Sequence, residues 1–229
     1  RIGLRFQRCV EAGRLHQGWR ALGACTESRY DVAGVCFRVW APNAERVSVV
    51  GDFNGWDGRV HAMCSLGASG VWELFLPELP AGCLYRFELR TRAGHVVVKA
   101  DPYARGFEMR PATACVVPGA ASYAWNDAEW MAARAARDWL HAPMAIYELH
   151  AGSWMRHPDG RFYSYRELAD RLVPYLQQLS FTHVEFLPLT EHPLDESWGY
   201  QCTGFFAPSS RFGTADDLRF LIDRLHGAN

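Results

Sequence analysis

The fold of the second half of this chain is decided by one stretch, His183-Val-Glu-Phe-Leu-Pro-Leu-Thr-Glu-His-Pro-Leu-Asp-Glu-Ser-Trp-Gly-Tyr-Gln201. Its first seven residues are mostly apolar and predict a buried strand, His183–Leu189. The remainder is rich in Pro, Gly, Asp and Ser, which predicts a long loop. A buried strand that ends in a long loop is typical of a parallel sheet, whose loops at the carboxyl ends of the strands carry function.

The sequence around this stretch alternates strand and helix. Met144–His150 predicts an earlier buried strand, and Ser164 with Glu167 forms a capping box that opens a helix. Pro174 is expected to kink or split that helix. Thr214 and Asp217 predict a second capped helix. The order β-α-β-α implies parallel strands, so residues 144–229 are predicted to be the incomplete start of a (β/α)8 barrel.

The first half of the chain has a different pattern. Short runs of period-two alternation recur between turn signals, which predicts an antiparallel β-sandwich of immunoglobulin-like type over residues 34–118. Residues 1–33 are expected to be a helical or irregular lead-in, and residues 119–143 an Ala-rich linker. The predicted fold class is therefore multidomain: a sandwich followed by the first β-α-β-α of a barrel.

The composition and the short motifs argue against several classes of function. A formal net charge of −1 argues against a nucleic-acid partner, and no apolar run is long enough to span a membrane. The seven cysteines include no CxxC pair, and the chain lacks an HExxH motif and a Gly-rich phosphate loop. No metal or cofactor is therefore expected. Idle thiols fit a reducing cytoplasm, which is the predicted location.

Several motifs carry a family resemblance. They are Phe37-Arg-Val-Trp-Ala-Pro-Asn43, Val49-Val-Gly-Asp-Phe-Asn-Gly-Trp-Asp57, Lys99-Ala-Asp-Pro-Tyr103, Ile146-Tyr-Glu-Leu-His-Ala-Gly-Ser-Trp154 and the long stretch Phe181–Thr214. With them the chain resembles the N-terminal part of bacterial 1,4-α-glucan (glycogen) branching enzymes of the α-amylase superfamily. The resemblance implies that the sandwich is a glycogen-binding-type module and that the partner is an α-glucan such as glycogen or amylose.

The resemblance also implies a chemistry. Branching enzymes cut an α-1,4 glucan and rejoin the segment through an α-1,6 bond with retention, which needs two carboxyl groups about 5–5.5 Å apart. In the family these carboxylates follow later barrel strands than the two found here. We therefore expect no catalytic residue within this chain, and no activity from the chain alone.

Substrate contacts are expected in the loop after the second barrel strand. The resemblance places Tyr200 against the sugar at the cleavage subsite, with Trp198 and Gln201 as weaker candidates. His150 either lines the same cleft or belongs to the framework. Arg211 is expected to tie the loop together through its guanidinium group.

The remaining acidic and histidine residues of this half are expected to be structural. Glu148 and Glu185 lie mid-strand and are predicted to be buried, paired groups. Glu191, Asp195 and Glu196 are predicted to frame the loop. His183 and His192 are assigned to the framework.

In the sandwich, Trp56 after the Asn54-Gly55 turn is a possible sugar platform, with Asn54 beside it. We expect weak binding there, because a second Trp is missing from the Asp-Pro segment. Residues 51–58 look superficially like a calcium loop, but Trp56 stands at a ligand position. Two alternatives stay open: a non-catalytic glycan-binding or scaffold protein, and part of a trehalohydrolase or debranching enzyme.

Overall fold

The computed structural model describes Val10, residues 12–120 and residues 122–228. These residues form two compact units. The first unit contains residues up to 120 together with 203–207, and the second contains 121–202 and 208–229. The predicted lead-in over residues 1–33 lies partly outside the described residues.

The first unit is built from two antiparallel sheets. One contains β1 (Gly23–Arg29), β2 (Val32–Trp40), β4 (Cys64–Ser65) and β5 (Val71–Pro77), in the order β1-β2-β5-β4. The other contains β3 (Ala44–Gly51), β6 (Leu84–Thr91), β7 (Val96–Lys99) and β8 (Cys115–Val116), with β3, β7 and β8 all paired to β6.

The sandwich core follows the predicted alternation. Val35 and Phe37 from β2 meet Val47, Tyr85 and Phe87 from the other sheet, and all five side chains are buried. The rings of Phe37 and Tyr85 pack edge to face, with centroids 5.0 Å apart. Each strand thus places every second side chain in one shared core, as the period-two pattern requires.

The lead-in prediction was wrong at its C-terminal end. Strand β1 lies within residues 1–33 and pairs along its full length with β2, from Gly23↔Arg38 to Arg29↔Val32. The two strands are joined by Tyr30 and Asp31, which both have positive φ. This two-residue turn has the backbone of a tight hairpin but not its usual Asn-Gly or Asp-Gly sequence, so no hairpin was expected at this position.

The second unit contains the predicted β-α-β-α unit. Strand β9 (Ile146–Leu149) pairs in parallel with β10 (His183–Phe186), and helices α3 (Tyr165–Gln178) and α4 (Ala215–His226) pack beside them. The remaining elements are α1 (Ala128–Ala136), α2 (Ala151–Trp154), β11 (Thr190–Glu191) and β12 (Gly204–Pro208), of which β12 falls mostly in the first unit. The predicted fold class is confirmed.

Both predicted helix caps are present. In α3 the Ser164 hydroxyl accepts from the Glu167 backbone N–H at 3.2 Å, and the Glu167 carboxylate accepts from the Ser164 N–H at 2.7 Å. Thr214 and Asp217 make the same reciprocal pair at α4. Each box satisfies N–H groups that the first helical turn leaves without partners.

Of the two predicted effects of Pro174, a kink or a split, the split does not occur, because Pro174 lies inside the continuous helix α3. The helix continues to Gln178 because its apolar stripe is buried on both sides of the proline, at Leu168, Leu172 and Leu176. Burial of several leucines outweighs the roughly 3 kcal/mol that an interior proline costs.

Candidate functional site

The candidate site is the loop that follows β10, residues 187–202, which includes a short 3-10 turn at Asp195–Ser197. Buried Arg211 holds this loop together. Its Nη1 group donates to Glu191 Oε1 at 3.0 Å and to the His192 carbonyl at 2.6 Å, while Nε donates to Asp195 Oδ1 at 2.7 Å. The Ser210 N–H donates to the second Glu191 oxygen at 2.6 Å. The predicted framing roles of Arg211, Glu191 and Asp195 are confirmed.

The loop presents its aromatic residues to solvent. Trp198 has φ 53° and is 50% exposed, and Tyr200 is 71% exposed. Between them Gly199 has φ 89°, and a Cβ atom there would lie 2.5 Å from the Pro188 carbonyl oxygen. Only glycine fits such a backbone at such a distance. The bend at Gly199 therefore fixes where both aromatic side chains leave the chain, and exposed Gln201 follows directly.

His150 joins this site from the other strand. It follows β9, and its ring stacks on the indole of Trp198 with centroids 5.2 Å apart and an angle of 21° between the planes. Burial and nearby positive groups lower the pKa of His150 below its usual 6.5. A neutral imidazole thus lies against Trp198 at neutral pH. The structure brings His150 against Trp198, in the loop that also carries Tyr200 and Gln201.

The prediction for Glu148 and Glu185 was wrong. The two residues lie opposite each other in the parallel pair of strands, but both are exposed. Their neighbours Leu149 and Val184 belong to the cluster that packs against the helices, so the glutamates point to the other face of this two-stranded sheet. Among the residues that the structure describes, neither carboxylate has a hydrogen-bond or ion-pair partner.

The histidines and Glu196 differ in their surroundings. His192 is buried and its Nδ1 lies 2.9 Å from the Thr190 carbonyl oxygen, which is a framework position. His183 Nδ1 lies 2.8 Å from Thr182 Oγ1, again a local contact. Glu196 is exposed in the 3-10 turn.

The second predicted sugar-binding site, the turn in the sandwich that contains Asn54 and Trp56, presents a single aromatic side chain. Trp56 is 42% exposed and has φ 63°, and Gly55 has φ 61°, so the positive φ values fall one residue later than the Asn54-Gly55 pair suggests. The Asn54 amide nitrogen lies 2.9 Å from both the Val49 carbonyl oxygen and His61 Nδ1. Its carbonyl oxygen accepts from the Gly51 N–H at 2.9 Å. Asn54 shapes this turn, and Trp56 alone presents a surface.

The residues that the structure describes contain neither a metal-binding cluster nor a helix able to span a membrane. Within residues 12–120 and 122–228, no group of three His, Cys, Asp or Glu side chains lies close enough to hold a metal ion. In the calcium-like loop, Asp57 instead forms an ion pair with Arg59 at 2.7 Å. None of the helices described is both long and apolar enough to cross a bilayer.

Comparison with known proteins identifies the relatives. Residues 21–104 match the model of carbohydrate-binding module 48, the isoamylase N-terminal domain. The chain is 60% identical over 215 residues to the 1,4-alpha-glucan branching enzyme GlgB of Nitrosospira multiformis. Over almost its whole length the chain resembles the N-terminal part of 1,4-alpha-glucan branching enzymes. The alignment covers 93% of this chain but 29% of that relative, and the branching enzyme of Nitrosomonas europaea gives 58% identity with 94% and 30% coverage.

Two solved structures support the fold of this chain. A protein of Salmonella typhimurium assigned as an alpha amylase superimposes with a TM-score of 0.67 at 27% identity, covering 91% of this chain and 31% of that one. The catalytic module of the pneumococcal glycogen-degrading virulence factor SpuA gives the same TM-score at 18% identity, covering 97% and 37%. The second likeness concerns the fold alone. The chain thus spans about a third of these proteins.

Sequence reasoning missed two parts of the site. Gly199 was not singled out, although a glycine between two aromatic residues in a loop is a signal of a constrained bend. Ser209 and Ser210 were also missed: the Ser209 N–H donates to the Leu189 carbonyl at 2.7 Å and Ser210 binds Glu191. No sequence signal separates these serines from ordinary loop residues.

Proposed function

We propose that this chain is the N-terminal part of an enzyme that cleaves α-1,4 glucan and transfers the segment to form an α-1,6 branch. The observation that carries the proposal is the loop of Trp198 and Tyr200, whose exposed rings rest on a buried frame and occur in a chain that closely resembles branching enzymes. Aromatic faces suit pyranose rings, because the C–H groups of the sugar meet the negative face of the ring. The role proposed for this part is to bind glucan with Tyr200, Trp198 and Gln201.

Catalysis is assigned to residues outside this chain. Retaining transfer needs one carboxylate as nucleophile and another as acid and base, about 5–5.5 Å apart. Glu191 and Asp195 each bind Arg211, at 3.0 and 2.7 Å, and Glu191 is buried. Both carboxylates are engaged by Arg211 as parts of the frame of the loop. We therefore infer that the 229-residue chain alone forms no α-1,6 bonds.

A fusion protein tests both statements. Residues 1–229 would replace the equivalent part of the Nitrosospira multiformis relative, and α-1,6 linkages formed from amylose would be measured by proton NMR. The fusion is expected to branch amylose. The 229-residue chain alone and the remainder of the relative alone are expected to do nothing. Branching by the isolated chain would overturn the catalytic assignment. A fusion that forms no α-1,6 linkages, while the unaltered relative does, would show that this chain does not serve as the N-terminal part of a branching enzyme.

The sandwich supports a second candidate function, α-glucan binding. Residues 21–104 match a carbohydrate-binding module, and Trp56 presents a partly exposed indole next to a shaped turn. One aromatic platform supports weak binding only. A glycogen pull-down would compare the chain with Trp56→Ala, using Trp125→Ala, which removes another exposed Trp, as the control. Loss of retention in Trp56→Ala alone supports this function, and equal retention of both variants excludes Trp56 from it.

The proposed location of this enzyme is the cytoplasm. Cys25, Cys36, Cys64, Cys83, Cys115 and Cys202 are all free thiols, which fits a reducing compartment. Burial raises the pKa of Cys115 to about 12, so this thiol is unreactive at neutral pH.

A further inference from the structure

His150 has a ring position that is set by its own segment of chain. Its carbonyl oxygen accepts from the backbone N–H groups of Ser153 and Trp154, at 3.1 and 3.0 Å, and its Nδ1 lies 3.1 Å from Ser153 Oγ. A Cβ atom on Gly152 would lie 3.2 Å from His150 Cε1. Glycine at that position leaves the space that the imidazole occupies. The ring is thus held in place independently of Trp198.

The indole of Trp198 packs against the imidazole ring of His150. The backbone N–H of Trp198 donates to the Asp195 carbonyl at 3.0 Å, and Asp195 is in turn bound by Arg211. The imidazole covers one face of the indole at 5.2 Å, nearly parallel. Trp198 is still 50% exposed, so a large part of it remains accessible to solvent. An indole that is supported by a neighbouring ring and is still accessible has the form of a stacking platform.

The surroundings of His150 favour its neutral form. Burial lowers the pKa of His150 most, and His192, Arg156 and Arg211 lower it further, while only Asp195 acts in the opposite direction. A neutral ring can lie flat against an indole without the cost of removing a cation from water. The stacked arrangement is therefore compatible with neutral pH.

We propose that His150 is a positioning residue, which fixes the indole of Trp198 as a flat platform for a glucose ring of the α-glucan. The proposal rests on the proposed function, in which this loop binds glucan. His150 itself does not contact the sugar. If the ring of His150 is removed, the indole of Trp198 loses its packing partner and can rotate. The indole is then no longer preorganised to stack on the sugar. Aromatic contacts of this kind contribute about 0.5–1.5 kcal/mol. This corresponds to about two- to tenfold in affinity.

Fluorescence of the 229-residue chain tests the proposal directly. The contribution of Trp198 is isolated by subtracting the spectrum of Trp198→Phe. In His150→Ala, this contribution is expected to shift to longer wavelength and to become more accessible to acrylamide. In the unsubstituted chain, maltoheptaose is expected to protect Trp198 from acrylamide, and about two- to tenfold more maltoheptaose is expected to be needed in His150→Ala. His150→Phe keeps a flat ring and should restore both signals.

One control variant and one conservative variant separate the effect of His150 on Trp198 from a general effect on folding. His157→Ala removes another histidine in ring contact, whose ring centroid lies 4.3 Å from that of Tyr163 at an interplanar angle of 53°, and should leave the Trp198 signal unchanged. Because His150→Phe preserves the packing, failure of His150→Ala to fold does not prevent the comparison. Unchanged emission and quenching in His150→Ala, or no protection of Trp198 by maltoheptaose in the unsubstituted chain, would overturn the proposal. The enzymatic assignment is judged separately by the fusion protein.

Discussion

Arg211 and Glu191 form an ion pair with Nη1 3.0 Å from Oε1, and both side chains are almost completely buried. The pair joins the strand side of the loop after β10 to the segment that precedes α4. The same guanidinium group reaches Asp195, one turn before Trp198. A single side chain thus connects the framework of the second unit to the backbone that presents the candidate sugar-binding rings.

Replacing Arg211 should damage stability more than any exposed arginine. Arg211→Ala leaves Glu191 buried without its cation, and breaking such pairs costs about 3–5 kcal/mol. The free energy of unfolding, measured in urea for the second unit, should fall by that amount. Arg161→Ala is the control, because its pair with Asp159 is exposed and such pairs contribute about 0–1 kcal/mol. Equal losses in the two variants would contradict the framing role.

Gly199 should not tolerate a side chain. In Gly199→Ala the new Cβ meets the Pro188 carbonyl oxygen at 2.5 Å, and the positive φ adds strain. Gly160→Ala is a matched control: its φ is 85°, but no atom lies within 4 Å of the new Cβ. The control should lose about 1 kcal/mol from backbone strain alone. A larger urea-midpoint shift in Gly199→Ala, with altered Trp198 emission, is expected, and identical shifts would argue that the contact with Pro188 is unimportant.

Tyr200 should matter for glucan and not for folding. Its side chain is 71% exposed, so Tyr200→Ala should change the free energy of unfolding by less than about 0.5 kcal/mol. In the fusion protein, loss of one stacking contact should lower kcat/KM for amylose by about tenfold. Tyr200→Phe should keep most of the rate because the ring remains. Leu140→Ala, another exposed position, is the control. Full activity of Tyr200→Ala would remove Tyr200 from the site.

The first unit should show a pH effect from one buried carboxyl group. Asp101 is completely buried, accepts from the Tyr85 hydroxyl at 2.7 Å and from the Tyr103 N–H at 2.8 Å, and burial raises its pKa from 3.8 to about 6. Between these two values the folded state holds a proton that the unfolded state releases. Stability from this group is therefore present at low pH and is lost as pH rises towards 6.

The measurement for Asp101 is the difference between two proteins. The free energy of unfolding would be followed from pH 4 to pH 8 for the original chain and for Asp101→Asn. The original chain should lose up to about 3 kcal/mol more than the variant across the window, with no further difference above it. Glu27 and Glu73, whose pKa values are lowered mainly by hydrogen bonds from Arg38 against the effect of burial, titrate in both proteins and cancel. Parallel curves would show that Asp101 does not titrate in this way.

Much of the fold was predictable because local signals and packing agree. The Ser164 and Thr214 caps start the two helices where the sequence placed them, and the buried alternation of Val35 and Phe37 follows from strand geometry. The loop site was predictable only through a family resemblance. Composition and periodicity alone place Tyr200 in a loop, and they do not assign it a ligand.

The errors have physical causes that a sequence does not display. Strand β1 was missed because Cys-Thr-Glu-Ser-Arg carries little apolar pattern, and because a Tyr30-Asp31 turn has no glycine. Glu148 and Glu185 were expected to be buried, paired structural groups because they lie mid-strand, whereas barrel chemistry lies at the C-terminal ends of the strands. Here their face of the two-stranded sheet is exposed. Which face of a strand meets solvent depends on neighbours that the local sequence does not name.

Trp56 and Trp198, the exposed tryptophans at the two candidate sugar surfaces, share a left-handed backbone, with φ values of 63° and 53°. A left-handed conformation costs a residue with a side chain about 1–2 kcal/mol, and glycine adopts it freely. Selecting a library of this chain for heat resistance should therefore enrich Trp56→Gly and Trp198→Gly. Selecting the same library on immobilised glucan should deplete both. Selection for heat resistance and selection for glucan binding would therefore favour different residues at these two positions. Comparing the two selected libraries would show how much each tryptophan contributes to stability and how much to glucan binding.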